Sequence, residues 1–298
     1  MTSQRRAVLL ALSAVLLWST VATAFKLSLQ YLSPVELLLY STFFSTLVLG
    51  VILIHQAKFR LVFKCTREEY LLSILLGFLS PFLYYLILFK AYDLLPAQQA
   101  QPINYTWAIT LSLLSVPLLK HKISAQQWLA LVISYLGVVV ISTEGRPFDL
   151  DFTSPSGVLL ALASTVIWSL YWIYNTRDHR DPVVGLFVNF VFSLPFILIY
   201  YFVMEDIRMV PIKGVLGAAY VGLIEMGISF VLWLMAMKLT DNTARISNLI
   251  FLSPFLSLVF IHFILGEHIK AGTFIGLILI VSGLLCQRYK FSFFKSVD

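Results

Sequence analysis

The stretch Gly214–Met237, GVLGAAYVGLIEMGISFVLWLMAM, decides the fold class. It runs 24 residues with a single charge, Glu225, about halfway along. A bilayer core about 30 Å thick takes about 17–25 apolar residues as helix. Nine further stretches hold no Asp, Glu, Lys or Arg: Ala7–Phe25, Leu37–His55, Tyr70–Phe89, Leu94–Leu119, Ile123–Thr143, Phe152–Thr176, Pro182–Met204, Ile246–Gly266 and Ala271–Gln287. They are continuously apolar, whereas a membrane barrel shows alternating segments of about 10 residues. The expectation is an all-α membrane protein with ten transmembrane helices.

Composition agrees. Of 298 residues, 59% are hydrophobic and 12% charged, against about 45–50% and about 25% for a soluble domain. Mean hydropathy is +0.89. So little charge excludes a cytosolic enzyme, a nucleic-acid binder and a disordered regulator. Cys65 and Cys286 form no CxxC and join no His cluster, which excludes a disulfide scaffold and a zinc site. His55 and His262 have no second ligand at metal spacing, so no metal and no cofactor are expected.

Arg5-Arg6, an apolar run and Ala22-Thr23-Ala24 have the outline of a cleavable signal peptide. The stretch has a partner in the second half of the chain, which argues for a retained helix. With the N-terminus inside, 15 of the 21 Lys and Arg fall on the cytoplasmic side of ten spans and 6 on the other. The positive-inside rule then puts both termini in the cytoplasm.

The two halves resemble each other. Leu9-Leu10-Ala11-Leu12 with Trp18-Ser19 matches Leu159-Leu160-Ala161-Leu162 with Trp168-Ser169. Gly77 and Ala91 match Gly222 and Ala236, and Trp128 and Gly137 match Phe274 and Gly283. Residues 1–146 and 147–298 therefore read as two units. Five spans each is an odd number, so the second unit is inverted, the organisation of many secondary transporters. Gly272 and Gly276, and Ala218 with Gly222, are small-residue pairs that let helices approach closely, between the fifth and tenth spans or at a dimer face. The expected state is a monomer or weak homodimer.

This layout, with Trp18-Ser19, Trp168-Ser169, Pro254, Gly266-Glu267 and Gly283, resembles the EamA type of the drug/metabolite transporter superfamily. Asn104-Tyr105-Thr106-Trp107 is similar to the Asn-Tyr-x-Trp-Pro stretch of its aromatic amino-acid exporter branch. Two positions depart from the pattern. Ala108 stands for the branch's proline, and Lys120-His121 stand where a first-unit Gly-Glu would be. The resemblance implies efflux from the cytoplasm through a central cavity without ATP hydrolysis. It also implies that Tyr84, Tyr85, Tyr105, Trp107 and Trp168 line that cavity.

The residues themselves offer further candidates. A mid-span carboxylate such as Glu225 costs about 2.5–3.5 kcal/mol on insertion scales and faces a cavity or a partner. Glu225 is thus a candidate for proton coupling or for holding a substrate amine, against the alternative of a structural bond to a neighbouring helix. The matched first-unit residue is Ser80. Gln98, Gln99, Gln101 and Asn104, with Pro102 and Pro117, make the fourth span polar, as a wall of the path or as interhelical contacts. Pro81 sets a kink four residues before Tyr85. Trp172 follows Trp168 by one turn, with Tyr171 beside it, and such rings stack on flat substrates or hold a cation, or simply pack. Asn189 and Asn248 are read as bonding across helices, and Lys238, Asp241 and Arg245 as a cytoplasmic cluster.

No Walker A, HExxH or GxSxG motif occurs, nor a repeated filter-like glycine loop. The expected activity is secondary transport of a small molecule, amino acids foremost and aromatic ones among them, across a bacterial inner membrane. The partners are the substrate, the lipid bilayer and, at Glu225, protons; no nucleic acid is involved. The alternatives are export of cationic drugs with Glu225 as counter-charge, and a non-transporting enzyme or scaffold.

Overall fold

A computed structural model describes residues 3–119, 125–148, 153–175, 178–239 and 249–288. Asn248, the Asp241 and Arg245 pair and Lys120-His121 lie outside the described residues, as does the side chain of Lys238. The described chain is helical, with no strand. In order it forms α1 (Ser3–Leu29), α2 (Pro34–His55), α3 (Arg67–Leu94), α4 (Ala97–Asn104) and α5 (Trp107–Leu119). After these come α6 (Ala125–Ser142), α7 (Pro155–Asn175), α8 (Pro182–Met204), α9 (Ile212–Met237), α10 (Leu252–Leu265) and α11 (Ala271–Arg288). Six of them, α1, α2, α3, α7, α8 and α9, are long and apolar enough to cross a membrane. The shorter apolar helices Trp128–Ser142, Leu252–Leu265 and Ala271–Cys286 lie within or form α6, α10 and α11.

The expected fourth span, Leu94–Leu119, is not one helix. The chain leaves α3 through Leu95-Pro96 and breaks again at Tyr105-Thr106. Pro96 and Pro102 lack the N–H that a continuous helix needs. Ile103 O closes the second break by accepting from Thr106 N (3.1 Å) and Thr106 Oγ1 (2.8 Å).

Other helices start where the sequence provides caps. Ser33 Oγ accepts from Glu36 N at 3.2 Å while Glu36 Oε2 accepts from Ser33 N at 2.8 Å. Thr66 and Glu69 repeat this reciprocal box at the start of α3. Inside α3, Ser80 adopts extended angles (φ −152°, ψ 126°). Pro81 crowds the residue before it out of the helical region, so the kink falls at Ser80. A wider i to i+5 turn, Phe78–Leu83, absorbs it, and α9 carries a similar wide segment at Val221–Ile228 around Glu225.

Small residues set the helix contacts. Most extensively, α6 packs on α11; α1 packs on α9 and α10, α2 on α8 and α9, and α3 on α7 and α8. Gly137 faces Gly276 O and Ile280 N, and Gly283 faces Ala130 O and Ser134 N. Gly77 abuts Asn189 O and Ser193 N of α8, while Gly222 abuts Ser41 O and Ser45 N of α2. Gly272 and Gly276 are thus engaged inside the molecule, between α6 and α11 and against Gly145.

Buried polar side chains and exposed apolar ones occur together on the membrane-length helices. On α2 the exposed residues Phe43, Leu47, Val51 and Ile54 form one stripe, while Ser41, Thr42 and Ser45 are buried. A soluble helix shows the reverse pattern.

Candidate functional site

Helices α3 and α9 meet α7 at Trp168, and α5 joins them through Trp172. The Trp168 indole is stacked between Tyr84 of α3 (ring centroids 4.5 Å, 26°) and Tyr171 (5.2 Å, 13°). Trp172 (5.8 Å) and Phe230 of α9 (5.9 Å) meet it edge-on. Trp107 of α5 lies parallel to Trp172 at 6.5 Å. Offset and edge-to-face pairs at these spacings are favourable by about 0.5–1.5 kcal/mol each beyond their buried area.

The tyrosine end of this stack is polar. The Tyr84 hydroxyl donates to Asn104 Oδ1 at 3.3 Å, and Asn104 Nδ2 donates to Ser164 Oγ at 3.0 Å. Tyr85, its ring 4.8 Å from that of Tyr84, donates its hydroxyl to Glu225 Oε1 at 3.1 Å. The other oxygen, Glu225 Oε2, is buried and has no protein partner. Tyr105 follows Asn104 directly, at the end of α4.

The geometry therefore joins Trp168, Trp107, Trp172, Tyr84, Tyr85, Asn104 and Glu225 in one contact chain, with Tyr105 beside it. Gln101 is buried on α4, its Oε1 without a partner, and no side-chain contact ties it to the stack. Gln98 and Gln99 follow the second of the two expectations, contacts to other parts of the chain. Gln98 donates to His268 O (3.0 Å) and accepts from Lys270 N and Thr273 Oγ1 (3.0 Å each). Gln99 reaches Thr153 Oγ1 at 3.1 Å and Glu144 at 3.4 Å. Both tie α4 to loops at one end of the molecule.

Two contact residues escaped the sequence reading. Phe230 is one aromatic among many in α9, and Ser164 is a hydroxyl on a helix whose tryptophans draw attention. Their only signal is spacing: Ser164 lies one turn before Trp168, and Phe230 five residues after Glu225. Asn189 of α8 faces the Tyr171 hydroxyl of α7, the cross-helix partner expected of it.

The two ends of the molecule are built differently. At one, Glu267 accepts from the N–H groups of Ala97 (2.9 Å) and Gln98 (3.2 Å), capping α4. Lys26 donates to Tyr92 O (2.8 Å) and Leu95 O (3.1 Å), Lys270 pairs with Glu144, and Arg208 forks onto Glu36 (2.7 and 2.5 Å). At the other end, a cleft opens beside Asp178 and Arg180 and runs between Tyr171, Trp172, Asn175, Phe230 and Leu234. Among the described residues no three His, Cys, Asp or Glu side chains gather as a metal site.

Arg180 anchors the cleft's rim. Its Nε and Nη2 grip both Asp178 oxygens (2.8 and 2.7 Å), and Nη2 also donates to Ser73 Oγ at 2.7 Å. The two side chains are 5% and 8% exposed. Burial alone would raise the Asp178 carboxyl, but the Arg180 guanidinium outweighs it and holds it below its ordinary value. The pair's contribution is therefore present above the unfolded carboxylate pKa, about 3.9, and is lost as pH falls through the lower folded value. Arg180→Ala should destabilise the protein by about 3–5 kcal/mol at neutral pH, since it strands a buried charge. A melting curve in detergent at pH 7 checks this; an unchanged midpoint would refute it.

The model of the EamA-like transporter family matches twice, at residues 5–143 and 155–287. The uncharacterised transporter YvbV of Bacillus subtilis is 26% identical over 96% of this chain and 92% of its own length. An uncharacterised transporter of Archaeoglobus fulgidus is 24% identical over 95% and 96%. One from Clostridium kluyveri is 26% identical over 56% of this chain, and there the match spans 55% of the relative. A solved crystal structure has the same fold, with a TM-score of 0.64 over 95% of this chain and 96% of the other at 23% identity. Apolar helices long enough to span a bilayer and a family match over both halves lead to one conclusion: the chain is a multi-pass integral membrane protein and belongs to the EamA-like transporter family of the drug/metabolite transporter superfamily.

Proposed function

We propose that the protein is a secondary exporter of small amine-bearing metabolites, amino acids foremost and aromatic ones among them, in a bacterial inner membrane. The observation that carries this reading is the free Oε2 of Glu225 at the end of a ring stack. An unpaired carboxylate within the membrane accepts an ammonium group, and the rings beside it hold a flat side chain or the cation itself. Trp168, Trp107, Trp172, Tyr84, Tyr85, Tyr105, Asn104 and Gln101 form the rest of the site. Glu225 also serves as the coupling group, exchanging a proton when no amine is bound.

Two inverted units, 1–146 and 147–298, with ten membrane passages and both termini cytoplasmic, supply the machinery. Reciprocal glycine contacts support the pairing. Gly137 meets Gly276 and Ile280, and Gly283 meets Ala130 and Ser134, so every residue in the first contact has its counterpart in the second 146 positions away. Gly77 with Asn189 and Ser193, and Gly222 with Ser41 and Ser45, repeat the relation across the other pair of faces. Halves related in this way can exchange conformations, opening a midplane site to alternate sides. The polar clamp at Glu267 then closes the outer side while the cleft at Arg180 faces the cytoplasm. A monomer contains the whole site.

Export of cationic drugs is the second reading, and the same carboxylate among aromatic rings favours it. Sealed vesicles loaded with labelled amino acids or with quaternary amines, with and without a proton gradient, separate the two. Gradient-dependent movement of an amino acid is the expected result; movement of quaternary amines alone would replace it with the second reading, and movement of neither would refute both.

A further inference from the structure

Helices α2 and α8 begin alike. Ser33-Pro34-Val35 opens α2, and Asp181-Pro182-Val183 opens α8 148 positions later. Each start carries a carboxylate. Glu36 completes the box that caps α2. Asp181 Oδ1 caps α8 by accepting from Val183 N (3.0 Å) and Val184 N (3.4 Å). Each helix is also followed by a cation, Lys58 behind His55 and Arg208 behind Met204.

The pairing is crossed. Arg208, behind α8, forks onto Glu36 at the start of α2. Lys58, behind α2, donates to Asp181 Oδ2 at the start of α8, at 2.7 Å. In both pairs the carboxylate lies deeper than the cation. The two helices therefore run antiparallel and are stapled at both ends by one device used twice. Between the staples they pack directly, with Gly50 against the Phe187 ring.

Position decides what the staples do. Arg208–Glu36 lies at the end that the Glu267 clamp closes, and Lys58–Asp181 lies at the end where the cleft opens. Asp178, Arg180, Pro182 and Gly185, on either side of Asp181, line that cleft. A gate at this end would stand parted when the cleft is open. The Lys58–Asp181 staple is shut beside it. Exchanging the halves carries Lys58–Asp181 onto Arg208–Glu36, so the clamp-end staple stays shut when that end opens in its turn. Parting it would also strand the Glu36 carboxylate, which is 0% exposed, and an uncompensated buried charge is strongly destabilising.

We propose that α2 and α8 form a fixed strut between the two units, stapled shut at both membrane faces throughout the transport cycle, around which the clamp and the cleft open in turn. This rests on the alternating-access reading with Glu267 as the clamp, and deepens it by naming the contact that does not move.

The test measures distances between paired spin labels in the full-length protein in lipid nanodiscs, with Cys65→Ser and Cys286→Ser removing the native thiols. Phe43→Cys with Phe202→Cys reports on the strut toward the clamp, and Ile54→Cys with Val191→Cys toward the cleft, all at exposed positions. Leu94→Cys with His268→Cys, also exposed, reports on the clamp. Glu267→Ala combined with Gln98→Ala removes the groups that tie α4 to the loop before α11. Glu267→Gln alone serves if that variant does not fold. Releasing the clamp should lengthen the Leu94–His268 distance by several ångström. Both strut distances should hold within about 2 Å, the scale of ordinary helix shifts. A strut distance that lengthens together with the clamp overturns the strut and leaves the clamp standing. No change at any of the three pairs overturns the clamp reading and this inference with it.

Discussion

Glu225→Gln is expected to abolish transport in vesicles while the protein still inserts, folds and reaches wild-type levels. The substitution keeps the shape of the side chain and the oxygen that accepts from Tyr85 at 3.1 Å. It removes the charge, and on insertion scales that makes the span cheaper by part of the about 2.5–3.5 kcal/mol assigned to a central carboxylate. Folding therefore gains where function loses. A hydrogen bond to a charged group contributes about 1.5–3 kcal/mol, so an ammonium ligand should bind about 10–150-fold more weakly. Any dependence of transport on a proton gradient should vanish as well, because an amide does not titrate between pH 5 and 9. Transport by Glu225→Gln at the wild-type rate and with the wild-type pH profile would remove Glu225 from the mechanism.

Glu225 was legible in the sequence because charge is so scarce there. One carboxylate inside an apolar run is visible without any structure. The helical class was legible for the same reason, and so were the glycines, since Gly77, Gly137, Gly222 and Gly283 recur at nearly constant offsets. What stayed hidden depends on which groups find partners. Gln98 and Gln101 share a helical face by spacing, yet Gln98 is consumed by the loop before α11 and Gln101 is not. Only packing separates the bonded one from the free one. The break of the fourth span was hidden for a related reason. Pro102 marks a weak point, but the turn at Tyr105-Thr106 needs Thr106 to close on Ile103. The cap that Glu267 places on α4 crosses 170 residues of sequence, and no local pattern announces it.

The second large effect is expected at the α6–α11 contact. A Cβ added at Gly137 would lie 2.6 Å from Gly276 O and 3.1 Å from Ile280 N. One added at Gly283 would lie 2.6 Å from Ala130 O and 3.1 Å from Ser134 N. Side chains crowd the same spots, Ile280 Cγ1 at 2.9 Å from the first and Ser134 Oγ closer still to the second, but in each case backbone also blocks the added carbon and cannot rotate aside as a side chain does. The two helices must separate by several tenths of an ångström, and every close contact along them weakens together. Overpacking of this kind costs about 1–3 kcal/mol for a single added group, and without a hydrophobic drive between membrane helices close packing is the main attraction that remains. Gly137→Ala and Gly283→Ala should therefore each lower the melting midpoint in detergent, and by similar amounts. Leucine at either position should prevent recovery of folded protein. Gly266 is the control, since its φ of +69° makes alanine strained but no atom lies within 4 Å of the added carbon; there the loss should be about 1 kcal/mol and arise from the backbone alone. The similarity of the two α6–α11 substitutions is the sharper test. Contacts related by exchange of the halves should both respond, whereas a merely local coincidence of glycines leaves one site free to be neutral. A large loss at Gly137 beside a neutral Gly283→Ala would separate them and count against two units of one architecture.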